Sequence, residues 1–204
     1  TEGNEIDLGL LSQNRSRDLI KTIWNELPAS KEEGQAIARL TNAQLLMSES
    51  ATESAVKELT SPKILHIASH TYFLPDQGKS VLNKEQPLPL QNFNSLLPHR
   101  FYDDNPLQRS GIVLAGANQV DDSRTDDGYL TAMEVAVLDL KGTNLVVISG
   151  CESGMGQVRD GEGIYGLKRS IAVAGARSSL LSLWKVDDRA TAAFMKNFYQ
   201  RLKK

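Results

Sequence analysis

Four short apolar runs, with helix-like stretches between and after them, limit the fold of this chain more than any other feature. Ile64–Ala68, Ile112–Ala115, Leu145–Ile148 and Ser179–Trp184 are close to continuously apolar. A strand with one wet face alternates apolar and polar residues, so an unbroken apolar run predicts a strand covered on both faces. Thr131–Leu138 carries Met133 and Val137 four residues apart. Ile164–Val173 follows, and then Asp187–Leu202 with Ala190, Phe194, Phe198 and Leu202 at fourfold spacing. Strands alternating with helices predict an α/β fold whose mainly parallel sheet is covered by helices on both faces.

The flanks are less regular. Asn14–Trp24 suits an amphipathic helix or an edge segment. Ser30 followed by Glu33 reads as a capping box opening a helix to about Leu40. Gln44–Met47 reads as a short strand, and Ala51–Leu59 as a helix stopped by Thr60-Ser61-Pro62. Thr71 to Ser110 holds Pro75, Pro87, Pro89, Pro98 and Pro106 among Asn, Gln and Asp. An irregular excursion of about forty residues is usually functional or mobile. The expected organisation is a lead-in segment over 1–26 and one domain over 27–204, both ends being cuts from a longer chain.

Composition narrows the function classes. The chain has 204 residues, 40% of them hydrophobic and 24% charged, which suits one globular domain with a full core. The formal net charge is −2, with no basic stripe, so nucleic acid is not an expected partner. No apolar run approaches the roughly 20 residues that cross a bilayer, and no signal peptide is recognisable. The single cysteine, Cys151, forbids an internal disulfide and fits a reducing, cytoplasmic setting.

In parallel α/β sheets the reactive groups sit beyond the carboxyl ends of the strands. The run Ile64–Ala68 leads into Ser69-His70-Thr71, and Leu145–Ile148 leads into Ser149-Gly150-Cys151-Glu152-Ser153-Gly154. If the two strands are neighbours, His70 and Cys151 face each other across one edge. An imidazole there can take the thiol proton and later return one to a leaving amine. Gly150 and Gly154 permit a sharp turn, whose N–H groups can hold an oxyanion. His66, inside the strand, reads as a satisfied core histidine, and His99 as solvated.

Two further patterns compete. Gly161-Glu162-Gly163-Ile164-Tyr165-Gly166 matches the dinucleotide fingerprint, with Asp187 about twenty residues on. The fingerprint should follow a strand directly, whereas the whole Cys151 turn intervenes, so the glycines read as close packing at a helix start. Asp121, Asp122, Asp126 and Asp127 crowd one loop around Arg124 in a spacing that fits no calcium loop, and read as solvated.

The runs Ile64–His70, Gly128–Glu134, Leu145–Gly154 and Gly175–Asp188, in this order and spacing, resemble CHAT domains. These are caspase-like domains often joined to TPR repeats and related to separase, and the resemblance covers roughly Leu27 to the C-terminus. It implies a caspase-like three-layer sandwich and a cysteine endopeptidase with His70 and Cys151 as its dyad. It also implies an oxyanion hole from the N–H groups of Thr71 and Cys151, Thr71 standing where the family commonly has Gly. By analogy with separase-like relatives, Asp188 or Asp187 would receive a basic substrate side chain, Arg more than Lys, while the other caps a helix. The expected partners are a protein or peptide substrate and TPR repeats in the parent chain or beside it. No cofactor or metal is implied. The alternatives are a catalytically silent interaction module of the same fold and, behind it, a dinucleotide-binding domain.

Overall fold

The computed structural model describes residues 22–74, 107–119, 126–150, 162–182 and 187–203. In chain order the elements are α1 (Pro28–Thr41), a 3-10 turn (Ser48–Ser50), α2 (Glu53–Lys57), β1 (Ile64–Ala68), β2 (Thr71–Phe73) and β3 (Ser110–Val113). They continue with β4 (Tyr129–Thr131), α3 (Ala132–Val135), β5 (Leu145–Ser149), α4 (Glu162–Val173), β6 (Ser179–Leu181) and α5 (Asp188–Leu202).

Among the described residues the strands form two three-stranded sheets. One is parallel, in the order β1-β5-β6, and the other antiparallel, in the order β2-β3-β4. The expected α/β class therefore holds, with one correction. Ile112-Val113 belongs to the antiparallel sheet, between β2 and β4, and not to the parallel one. All four residues of β3 are buried. A continuous apolar run reports burial on both faces and says nothing of strand direction.

Side-chain alternation along the parallel strands divides the core. Ile67, Val146 and Ile148 join Leu167 and Ile171 of α4 and Val135 of α3 in one apolar cluster. On the opposite face, Val147 packs with Ile37 of α1 and Met195 and Tyr199 of α5. Apolar clusters thus cover both faces of the parallel sheet, as unbroken strands require.

Several boundaries differ from the sequence signals, each for a local reason. α1 begins at Pro28, not Ser30: proline at a helix start has the right φ and gives up an N–H that lacks a helical partner anyway. Glu33, expected to cap, is instead buried against His66. Gln44–Met47 is not a strand, and Leu45 and Leu46 are exposed. Thr131 caps α3 through a reciprocal box with Glu134, so the helix starts one residue later than expected, and it ends at Val135 rather than Leu138. On α5 the buried residues are Met195 and Tyr199, while Phe194 and Leu202 of the fourfold stripe lie outside.

Candidate active site

His70 follows β1 by two residues, at the strand's carboxyl end. Its Nε2 lies 2.7 Å from the backbone carbonyl oxygen of Asn25. A carbonyl only accepts, so Nε2 carries the proton. In the neutral ring the lone pair is then on Nδ1, which is buried and has no hydrogen-bond partner among the described residues. A histidine whose proton-bearing nitrogen is anchored and whose basic nitrogen is open is set up to take a proton. The ring's other neighbour is Trp24, 5.3 Å away between centroids.

Asn25 and Trp24 belong to the segment preceding α1, and several elements hold them. Trp24 is buried in a third apolar cluster with Tyr72, Val113 and Tyr129. Its indole N–H donates to the Tyr129 hydroxyl at 2.9 Å, and that hydroxyl donates to the Ala117 carbonyl. The Trp24 backbone N–H donates to Asn118 Oδ1, and Asn118 Nδ2 donates back to the Trp24 carbonyl, both at 2.9 Å. No sequence pattern marked Asn25 or Asn118, and Trp24 stood out only as the last apolar residue of the segment Asn14–Trp24. Gly128 and Tyr129 lay inside a recognised block, the one signal that pointed here.

The opposite wall begins at β5. Ile67 pairs with Ile148 and Ala68 with Ser149, so the two strand ends are level. A Cβ on Gly150 would come within 2.5 Å of the Ser69 carbonyl oxygen and 2.9 Å of Thr71 Cγ2, so only glycine permits this approach. Cys151 itself, with Glu152, Ser153 and Gly154, lies outside the described residues. Thr71 opens β2 and faces Ile112. The cross-strand bonds run from Val113 N–H to the His70 carbonyl and from Leu74 N–H to the Arg109 carbonyl. Hydrogen-bonded pairs alternate along an antiparallel ladder, so the Thr71 N–H is turned away from β3 and is left for another acceptor.

Both candidate specificity residues sit at helix starts. Asp187 caps α5 by accepting from Ala190 N–H at 2.9 Å. Asp188 reaches the other helix: one carboxylate oxygen accepts from Ala29 N–H at 2.9 Å and the other from Ser30 Oγ at 3.3 Å. Asp188 is half-buried and Asp187 exposed.

His66 is held from both sides, its Nε2 2.8 Å from Glu33 and its Nδ1 3.1 Å from the Tyr199 hydroxyl. Burial, helped by the Glu33 charge, pushes the Tyr199 phenol up to about 12, which keeps it a neutral donor. The acidic loop is not simply solvated. Asp126 accepts from Glu53 N–H and Ser54 N–H, and Asp127 is buried and accepts from Tyr129 N–H. Asp121, Asp122, Arg124, His99 and Gly161 lie outside the described residues. Among the described residues no three His, Cys, Asp or Glu side chains are grouped to hold a metal, and no helix is long and apolar enough to cross a membrane.

Comparison with known proteins gives one consistent result. The family model for the CHAT domain matches residues 6–204. Tetratricopeptide repeat protein 28 of Homo sapiens is 26% identical over 181 residues, and that of Mus musculus 26% identical over 182. Each match covers 88% of this chain and 7% of the relative, so the chain spans a small part of either protein.

Proposed function

Since this chain belongs to the CHAT domain family, we propose that it is a cysteine endopeptidase of caspase and separase type, with Cys151 as nucleophile and His70 as base. The observation that carries the reading is the anchoring of His70 Nε2 on the Asn25 carbonyl. It leaves a buried Nδ1, unpartnered among the described residues, two positions past the end of β1, the strand paired with β5. Cys151 follows the last residue of β5 by two positions, as His70 follows the last residue of β1. Nδ1 takes the thiol proton, and the thiolate attacks the scissile carbonyl carbon. The N–H groups of Thr71 and Cys151 hold the oxyanion. The imidazolium then protonates the leaving amine, and water, deprotonated by the same ring, hydrolyses the acyl-enzyme thioester. The reading includes a caspase-like three-layer sandwich, supported by the apolar clusters on both faces of the parallel sheet. It includes cleavage after a basic residue, with Asp188 or Asp187 as the receiving acid. The matched relatives carry TPR repeats in their names, and we assign the same association to this domain.

The test is labelling with an arginyl chloromethyl ketone, read by intact-mass and peptide mass spectrometry, alongside cleavage of a fluorogenic peptide library. One adduct at Cys151 is expected. His70→Ala should slow labelling by about a hundredfold, the usual scale of general-base help. Cys151→Ala and His70→Ala should each abolish cleavage, and the double variant should be no worse, since the two act as a unit. Equal labelling of wild type and His70→Ala would refute the dyad.

The second reading is a silent interaction module. The observation favouring it is Thr71, whose methyl group lies close over Gly150 where the family commonly has no side chain. A folded chain inert to the electrophile would establish that reading.

A further inference from the structure

His70 depends on a carbonyl that arrives from 45 residues upstream, on a segment outside any helix or strand. Such a segment does not hold an oxygen in place by itself. Ile23, next to Trp24, is 81% exposed, and Asn25 is exposed as well, so burial anchors the Trp24 side chain alone. The backbone orientation has to come from hydrogen bonds.

Asn118 supplies them. Its carboxamide accepts from the Trp24 N–H and donates to the Trp24 carbonyl, so it engages both backbone polar groups of Trp24 as a neighbouring strand would. Only a primary amide can do both at once: a carboxylate lacks the donor and a hydroxyl lacks the span. Asn118 lies in the turn after β3, whose Val113 N–H donates to the His70 carbonyl. The same turn is fixed by Leu114 N–H to the Gly128 carbonyl at 2.7 Å and by the Tyr129 hydroxyl to the Ala117 carbonyl. Gly128 has φ +85°, and a Cβ there would meet Ala117 N at 2.1 Å, so the turn seats only on glycine. β3 thus bonds to His70 through Val113, and the turn that follows it sets, through Asn118, the residue before the carbonyl that anchors the ring.

From this geometry we infer that Asn118 is a positioning residue for the His70–Cys151 chemistry. It fixes the Trp24 backbone so that the Asn25 carbonyl holds Nε2–H and Nδ1 stays the basic nitrogen. The inference rests on the dyad reading above. It adds that the chemistry of the base is set by a side chain that does not contact the imidazole.

The test compares alkylation of Cys151 by iodoacetamide across pH in wild type, Asn118→Ala, His70→Ala and the double variant, with folding followed by circular dichroism. A second readout, independent of the cysteine, is the His70 ring N–H signal in proton NMR, visible near neutral pH only when that proton is held in a hydrogen bond. Asn118→Ala should weaken that signal and lower the alkylation rate at pH 6 by about tenfold, a fraction of the full general-base effect. In the His70→Ala background it should change nothing further. Equal losses from Asn118→Ala in both backgrounds would mean a general structural role and overturn the inference. An unchanged profile and ring signal, with His70→Ala still slow, would overturn it while leaving the dyad intact. If His70→Ala alkylates like wild type, the dyad falls and the inference with it. Should Asn118→Ala fail to fold, Asn118→Asp keeps the acceptor but sets a charged oxygen in place of the donor, facing the Trp24 carbonyl. It should show the same direction of shift, and a wild-type profile in that variant would overturn the inference.

Discussion

His66 and His70 stand four residues apart, and their partners give them opposite roles. His66 points between α1 and α5, where Glu33 and Tyr199 take both ring nitrogens. With the Tyr199 hydroxyl donating to Nδ1, the Nε2–H of His66 donates a hydrogen bond to Glu33. Nothing is left over for chemistry. His66→Ala should therefore act on stability, because it leaves the Glu33 carboxylate, 2% exposed, without its partner. A loss of about 2 kcal/mol is expected for leaving a buried charged group without its hydrogen bond, measured by urea denaturation, while Cys151 labelling per folded molecule stays unchanged. A labelling defect at full stability would show that His66 belongs to the site. Glu53 gives a pH-dependent case. Burial pushes its carboxyl up to about 7, against the pull of the Lys57 ammonium. A carboxyl raised in the folded state binds a proton that the unfolded chain has already lost. Its contribution to stability is therefore largest below its unfolded value of 4.5 and falls as pH rises towards 7. The slope cannot exceed about 1.4 kcal/mol per pH unit for one proton. Glu53→Gln should flatten that part of the curve, and an identical pH profile in the variant would refute the assignment.

At the scale of elements, the junction between the end of β5 and the β1–β2 turn is set by a missing side chain. Gly150→Ala would press a methyl group against the Ser69 carbonyl and the Thr71 methyl. Overpacking of this kind costs about 1–3 kcal/mol, and here it also separates the two loops meant to converge. Labelling of Cys151 should slow in the folded fraction, and an unchanged rate would show that the junction tolerates the spread. Much of this level was legible in the sequence. Leu145–Ile148 and Ile64–Ala68 match β5 and β1 to within one residue, because β-branched runs between polar turns have few other solutions. One of the two acids at the start of α5 was expected to cap a helix, and Asp187 is the cap. The errors share a cause. Leu45-Leu46-Met47 looked like a strand because three apolar residues carry no periodicity, and whether they are covered depends on distant elements. Ile112–Ala115 was a strand of the wrong sheet because hydrophobicity does not encode which neighbour a strand meets. Ser30 and Glu33 made a plausible capping box, but a buried histidine competed for the glutamate and won.

Across the whole molecule, the two ends of the described chain are tied together beside the site. α1 and α5 share the Val147 face of the parallel sheet, and Asp188 at the start of α5 holds Ala29 N–H and Ser30 Oγ at the start of α1. Ala29 is four residues from Asn25, a reach of at most about 14 Å, so Asp188 anchors the far end of the short segment that presents the Asn25 carbonyl to His70. The candidate histidine was legible because imidazole chemistry is scarce in this sequence. Its anchor was not, since every residue carries a carbonyl and only the fold selects one. The same tie sharpens the specificity question. A carboxylate offers about four acceptor positions, and Asp188 uses two of them on α1, so a guanidinium could still be received from the open side. Asp187 spends one oxygen on its own helix. Asp188→Ala should therefore do two things at once: lower stability by about 1 kcal/mol through the lost helix-start bond, and reduce selectivity for Arg before the scissile bond. Asp187→Ala should cost a similar amount of stability and leave selectivity alone. Asp188→Asn separates the effects, because its side-chain oxygen can still accept from Ala29 N–H while the charge that would attract Arg is gone. Profiling all three against a fluorogenic library, with melting temperatures taken in parallel, decides the matter. Cleavage after Asp or apolar residues would remove the need for a receiving acid, and an Arg preference untouched by Asp188→Asn would assign Asp188 to the helix tie alone.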